Sequence, residues 1–300
     1  MSERTENSTP QVTRKSWNGR LARLLRNAIV CYLGIIIVML FLENKLIFRP
    51  VRASEDWLKP PNVLVQDVEM WIADGTKIHG WWCPVPDGES ERGALLYCHG
   101  NAGNLSWRSE AIARWQKEMN QSVLIFDYPG FGRSEGYPSE AACYAAADAA
   151  YDWLVKIQHV SANRLIIFGK SLGGGVAVDL ASRRTHAALI LVKTFTSMAD
   201  EAQSVCPVLP ARWLVRTRFD NLGKIKKCTQ PIFIAHGTAD RLIPFSFSQR
   251  LFDAANEPKR FCSMEGIDHN DALLPDFYRS LRDFLAVCAT RQSVAHVSRN

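Results

Sequence analysis

Two pentapeptides in the chain fit the pattern Gly-x-Ser-x-Gly: Gly132-Arg133-Ser134-Glu135-Gly136 and Gly169-Lys170-Ser171-Leu172-Gly173. A serine becomes an acyl-transfer nucleophile when it stands on a tight strand-to-helix turn whose small neighbours let the backbone approach closely. Only the second pentapeptide has that setting. Leu165-Ile166-Ile167-Phe168 leads into it, and Gly173-Gly174-Gly175-Val176-Ala177-Val178 leads away. Ser134 is flanked by polar residues and Pro138 and reads as a turn residue. The string Gly169-Lys170-Ser171 also ends like a phosphate-binding loop, but that loop needs a glycine five positions before the Gly-Lys pair. Arg164 stands there instead.

A lone serine is a weak nucleophile and needs a base that is itself oriented by an acid. In folds with this elbow the chain order is serine, acid, histidine. Downstream of Ser171, the run Pro231-Ile232-Phe233-Ile234-Ala235 ends in His236-Gly237-Thr238-Ala239-Asp240. A second run, Arg260 to Met264, is followed by Glu265-Gly266-Ile267-Asp268-His269. Asp240 and His269 are thus the expected acid and base, both at strand ends. Asp200 is the rival acid. Asp127 precedes the serine and reads as a loop-capping carboxylate, and His236 and His99 read as structural partners of their own turns. His79, His159, His186 and His296 show no partner pattern. Two backbone N–H groups are needed to hold a tetrahedral oxyanion. Leu172, the residue after the serine, supplies one. The other is expected from the turn His99-Gly100-Asn101-Ala102-Gly103-Asn104, with Asn101 favoured over Ala102.

These loops need a sheet to bring them together. From about residue 63 the chain alternates β-rich runs with helical stretches. Val63 to Ala73 and Lys77 to Val85, joined through Asp74-Gly75-Thr76, read as an antiparallel hairpin at one edge. Six further strands are expected at Ala94–Tyr97, Ser122–Phe126, Arg164–Phe168, Ala188–Val192, Pro231–Ala235 and Arg260–Met264. Helices are expected at Trp107–Met119, Ser139–Ile157, Leu172–Arg184, Phe247–Ala255 and Pro275–Cys288. Apolar runs linked by helices imply a mostly parallel eight-stranded sheet covered on both faces. The interval 196–230 holds Pro207, Pro210, Trp213 and Phe219 and no single obvious helix, and reads as a small cap over the strand ends. Residues 290–300 read as a frayed tail.

Five motifs in order, the turn 99–104, Asp127-Tyr128-Pro129-Gly130-Phe131-Gly132-Arg133-Ser134, the elbow 169–174, His236 to Asp240, and Gly266-Ile267-Asp268-His269-Asn270-Asp271, make the chain resemble the α/β-hydrolase superfamily. The resemblance covers about residues 45 to 288. Within the superfamily it is to the branch of N-terminally membrane-anchored, serine aminopeptidase-like hydrolases, which includes depalmitoylating thioesterases. It implies an α/β-hydrolase fold and a Ser171-Asp240-His269 triad, with no metal and no organic cofactor. It leaves the substrate open between carboxylic esters or thioesters, peptide-like amides, and a binding module with a vestigial site. No acidic cluster clearly reads as a site for a free amino terminus. Lys170 departs from the His or Asp that many such hydrolases carry at the elbow, and either attracts an anionic substrate group or points to solvent.

At 300 residues with 47% hydrophobic and 22% charged residues, the chain is neither disordered nor a small disulfide scaffold. Its net charge of +6 is concentrated at the start. Residues 1–27 hold six Lys or Arg against Glu3 and Glu6, so the remainder is nearly neutral and no nucleic-acid partner is expected. Ala28 to Leu42 is an uncharged apolar run, and 28–48 is the expected transmembrane anchor after a basic tail at 1–27. The hydrolase domain is expected at 49–289. A cleaved signal peptide is the competing reading, but no small-x-small cleavage site follows Leu42. The basic leader places the catalytic part outside the cytoplasm by the positive-inside rule. The eight cysteines, none in a C-x-x-C pair and most in apolar runs, read as buried free thiols and argue the other way. The expected partners are the membrane and an acyl ester or thioester, lipid-like because the cap carries Val208, Leu209, Trp213 and Leu214.

Overall fold

The computed structural model describes residues 15–59, 63–85 and 93–297 and divides the chain into two units, Met1–Glu43 and Asn44–Asn300. The first unit is most of helix α1, Lys15–Ile47. Gly19–Ile47 is long and apolar enough to cross a membrane. Its 29 residues extend about 44 Å, against about 30 Å of hydrocarbon. Ile29, Val30, Tyr32, Ile35 and Val38 are exposed around it, so the helix lacks the single apolar stripe of a core-packing helix. Two boundaries differ from the expectation. The basic segment is helical from Lys15, because Leu, Arg and Ala favour helix and only Gly19 interrupts them. At the other end the helix stops at Ile47, since Arg49 precedes a proline and is held in extended backbone. Phe48 therefore lies outside the helix and is buried in the core of the second unit.

The second unit is built on eight strands: β2 (Gln66–Trp71), β3 (Lys77–Cys83), β4 (Ala94–Cys98), β6 (Ser122–Phe126), β7 (Leu165–Lys170), β8 (Ala188–Val192), β9 (Ile232–Gly237) and β10 (Lys259–Met264). Their order is β10-β9-β8-β7-β4-β6-β3-β2. All neighbours are parallel except the β2–β3 and β3–β6 pairs, so the hairpin lies at one edge. Gly75, at φ 85°, makes its tight turn.

Side chains alternate across this sheet as the two-residue period requires. Leu96, Leu124, Ile167, Leu191 and Ile234 enter one core layer with helices α3 (Glu140–Asp152), α4 (Leu172–Ala181) and α8 (Phe245–Ala254). Leu95, Ile125, Phe168, Val192 and Phe233 enter the other with α2 (Ser109–Met119) and α9 (Pro275–Val297). Helix α9 continues through Val297, where a tail was expected from residue 290. Residues 286–297 contain neither glycine nor proline, so nothing in the local backbone ends the helix.

A second, two-stranded sheet, β1 (Arg49–Pro50) with β5 (Ala102–Gly103), escapes the sequence reading because each strand has only two residues. Its role is positional. It fixes the loop after β4, helped by the Asn104 side chain, which donates to the carbonyls of Val51 and Asp56. The 196–230 insert forms three short helices, α5 (Met198–Val205), α6 (Ala211–Leu214) and α7 (Asn221–Ile225). Met198 N–H bonds the Arg218 carbonyl, closing the insert on itself.

Candidate active site

Ser171 sits between the end of β7 and the first turn of α4 with φ 55° and ψ −122°. That conformation costs a residue with a Cβ about 1–3 kcal/mol, and it persists only where the surroundings over-determine it. Here they do. The Ser171 N–H donates to Val192 O at 3.0 Å, and its carbonyl accepts from Gly174 N–H at 2.9 Å and Thr194 Oγ1 at 2.8 Å. The glycines beside it answer to close approach. A methyl on Gly173 would overlap the Cys98 carbonyl, and one on Gly174 would overlap the Thr194 side chain. The bend tips the Ser171 side chain away from the sheet, where Oγ lies 3.1 Å from His269 Nε2.

His269 follows β10 and is buried, with Nδ1 2.8 Å from Asp240 Oδ2. With Nδ1 protonated toward Asp240, Nε2 is left to accept the serine hydroxyl proton. Asp240 follows β9, and its side chain is fully buried. Its Oδ1 accepts from the N–H groups of Leu242 and Ile243 at 3.0 and 2.9 Å. His236 Nε2 lies 3.1 Å from Oδ2. Burial pushes this carboxyl up, but hydrogen bonds from His236, His269 and Ile243 N–H outweigh it and hold the group well below the usual carboxylate range. These bonds therefore favour the ionised carboxylate.

The two loops are clasped to each other. Asp268 accepts from Arg241 N–H at 3.0 Å, from His269 N–H at 2.7 Å and from the Arg241 guanidinium at 2.8 Å. Those backbone bonds, with the guanidinium, lower its pKa to about 2. Behind the histidine loop, the buried Lys193 ammonium bonds the carbonyls of Asp268, His269 and Asp271. Lys193 was not singled out from the sequence. It ends an apolar strand and looks like a charge at the surface, but a φ of 50° turns it inward.

The other candidates fall elsewhere. Asp200 is engaged by Thr196 Oγ1 and Arg212 in the insert and by Arg250 of α8. Asp127 accepts from Leu105 N–H at 2.8 Å, the capping role expected of it. Ser134 Oγ donates to Asp127 O and accepts from His79 N–H inside a turn. His236 bonds Ile243 O within its loop, the structural role expected of it, and also Ser248 Oγ of α8 and Asp240. His99 Nδ1 bonds the Gly100 carbonyl in its own turn. His79 does have a partner, Asp67 Oδ1 at 2.7 Å, because the hairpin register brings together residues twelve apart in sequence.

The loop after β4 approaches the serine closely. A methyl on Gly100 would stand 3.5 Å from Ser171 Cβ. Asn101 Oδ1 accepts from Arg49 N–H at 3.0 Å, fixing that loop to β1. Leu172 is the first residue of α4, so its N–H has no acceptor within the helix. Among the described residues no group of three or more His, Cys, Asp or Glu is arranged to hold a metal ion. The cysteines are free, and burial pushes the Cys83 and Cys228 thiols up to about 12.

A family model of the α/β hydrolase fold matches residues 93–222. Rv2307c of Mycobacterium tuberculosis is 37% identical over 243 residues, 81% of this chain and 86% of that protein. Alpha/beta hydrolase domain-containing protein 17B of Xenopus laevis is 34% identical over 203 residues, 66% of this chain and 67% of its own. The chain belongs to the α/β hydrolases. Among solved structures, the Pyrococcus furiosus esterase Pf2001 superposes with a TM-score of 0.65 at 17% identity, over 81% of this chain and 98% of its own. A puromycin-hydrolyzing peptidase of Mycobacterium tuberculosis reaches 0.62 at 19% identity, over 75% of this chain and 39% of its own. At such identities these two structures speak to the fold alone.

Proposed function

We propose that this α/β hydrolase is a membrane-anchored serine hydrolase that cleaves carboxylic esters or thioesters through an acyl-enzyme on Ser171. The supporting observation is the continuous path Ser171 Oγ to His269 Nε2 at 3.1 Å and His269 Nδ1 to Asp240 Oδ2 at 2.8 Å. In this reading Ser171 attacks the acyl carbonyl as His269 takes its proton. Asp240 fixes the tautomer and stabilises the imidazolium. The Leu172 and Asn101 N–H groups hold the oxyanion. His269 then returns its proton to the leaving alcohol or thiol, and water repeats the sequence to release the acid.

The apolar helix serves as the anchor over about 28–47, and the basic residues before it favour a catalytic unit outside the cytoplasm. The substrate is lipid-like. Val208 and Trp213 of the insert are more than four-fifths exposed, an apolar surface suited to an acyl chain. These features agree with the anchored, thioesterase-containing branch of the superfamily.

Labelling with a fluorophosphonate probe tests the chemistry: the wild type labels, and Ser171→Ala does not. An unlabelled wild type would sink the proposal in favour of a binding module. A chain-length series of p-nitrophenyl esters tests the acyl preference, with octanoyl turned over better than acetyl. Faster turnover of aminoacyl amides than of any ester would move the assignment to an amidase.

A further inference from the structure

We propose that the cleft walled by Lys170 and Arg108 is an anion subsite of this active site, binding a carboxylate or phosphate that the substrate carries beside its scissile acyl group. The proposal rests on the serine hydrolase reading and narrows its substrate class. The cleft encloses about 840 Å³ between the start of α2 and the start of α9. Lys170 and Asn270 line it, each one residue along the chain from Ser171 and His269, which do not themselves line it. Trp107 and Tyr278 contribute apolar walls.

Neither Lys170 nor Arg108 forms an ion pair among the described residues. Lys170 is half-buried, and its ammonium makes no hydrogen bond or ion pair to any described residue. Arg108 gives Nη2 to the Ala102 carbonyl at 2.5 Å, while its Nε is buried without an acceptor. Arg114 and Lys117 also line the cleft. Three carboxylates share it, Glu110, Glu118 and Asp271. Glu118 is engaged by Arg282, Asp271 accepts from Asp268 N–H, and both Glu110 and Asp271 are exposed to solvent.

Every group near the Lys170 ammonium bears on its charge. Burial, then the charges of Lys193 at the end of β8 and Arg108 before α2, lower its pKa to about 8, against the opposing pull of Asp240 and Asp271. The neighbouring Tyr97 and Tyr278 are held neutral by burial. A cation disfavoured by its neighbours gains most from an anion brought into the cleft, because the anion pairs with Lys170 and Arg108 together. The elbow lysine is then a substrate-reading residue. It contacts the bound anion and takes no part in the acyl transfer.

Paired substrates test this on the full chain in detergent micelles. One pair is p-nitrophenyl hydrogen adipate against p-nitrophenyl hexanoate. The other is S-hexanoyl-4′-phosphopantetheine against S-hexanoyl-pantetheine, so that the two pairs separate a carboxylate from a phosphate. At pH 7 the anionic member of at least one pair shows kcat/KM at least tenfold above its neutral partner, mainly through a lower KM. In Lys170→Gln that ratio collapses to about one, in Lys170→Arg it survives, and in the wild type it declines as the pH rises through about 8. Equal values within both wild-type pairs, or a ratio that persists in Lys170→Gln, overturns the subsite.

The two readings fail separately. Neutral esters hydrolysed without anion preference would leave the hydrolase standing and remove the subsite. If no substrate is turned over, calorimetric titration of Ser171→Ala with adipate and with 4′-phosphopantetheine decides the subsite alone. Saturable binding that is lost on adding Lys170→Gln supports it, and absence of binding refutes it.

Discussion

The ammonium of Lys193 lies 2.6 Å from the carbonyl oxygen of Asp268, the residue immediately before His269. The same nitrogen is 3.2 Å from the His269 carbonyl and 3.0 Å from that of Asp271. One cation thus gathers three carbonyls of the loop that carries the imidazole, from a side chain with no exposed surface. Burial pulls its pKa down, and the charges of Asp240, Asp271 and Asp268 pull the other way. Burying an ammonium is tolerable only where its donors are satisfied, as these are.

Lys193→Met removes the ammonium while keeping most of the side-chain volume, so its effect reports the three bonds. Each carbonyl left without a partner in the interior costs about 1–3 kcal/mol. The variant therefore melts several degrees below wild type, and its kcat falls by roughly 10–100-fold as His269 loses its fixed distance to Ser171. Because nothing in the substrate path changes, KM moves by less than about threefold. Thermal melts and steady-state kinetics check this. A variant that melts and turns over like the wild type would show that the loop is held by other contacts.

Asp240→Asn and Asp200→Asn separate the two acids weighed from the sequence. The first removes the acceptor that orients His269 and lowers kcat by about 10³–10⁴-fold. The second loosens an ion pair of the insert with Arg212 and Arg250 and changes kcat by less than about threefold. The stability cost of Asp240→Asn has a defined pH window. The folded carboxyl ionises below the unfolded one, so its contribution is full above about pH 4 and is lost as the pH falls through the folded value. Kinetics at pH 7 and melts at pH 3 and 7 read both.

Most of the frame was legible because it is periodic. Apolar runs such as Leu165–Phe168 and Ile232–Ala235 predict buried strands, and turn residues mark their ends. The placements of Ser171, Asp240 and His269 follow from one rule, that loops at the same ends of parallel strands meet along one edge. What could not be read was long-range pairing. Arg49–Pro50 becomes a strand only because Ala102–Gly103 is beside it, and His79 meets Asp67 only through the hairpin register. Lys193 looks like a surface charge in the sequence and is turned inward by a positive φ that no local pattern announces, and Glu201 is covered only because its short helix packs in the folded chain.

Gly173→Ala tests why three glycines follow Leu172. In an exposed helix this change stabilises by about 1 kcal/mol. Here the new methyl meets the Cys98 carbonyl, a backbone atom of a central strand that cannot step aside. The sign therefore reverses, with a loss on the order of 1–3 kcal/mol for overpacking. Urea denaturation curves would show a lower midpoint at unchanged slope. A midpoint at or above that of the wild type would mean that α4 can shift off β4 at little cost.

Glu201, on α5, has its Oε2 buried with no hydrogen-bond partner among the described residues. Burial, and then the nearby charge of Asp240, raise its pKa from an ordinary 4.5 to about 7. In the unfolded chain the carboxyl ionises first, so between these values the folded state holds a proton that the unfolded state has released. Stability from this group is full below about pH 4.5 and is lost as the pH rises through about 7. Gln at this position cannot ionise and escapes that loss. Glu201→Gln and wild type should therefore melt together at pH 4.5, with the variant higher by roughly 2–4 °C at pH 8. Scanning calorimetry at the two pH values provides the comparison, and an equal difference at both would mean that the Glu201 carboxyl reaches solvent and titrates normally.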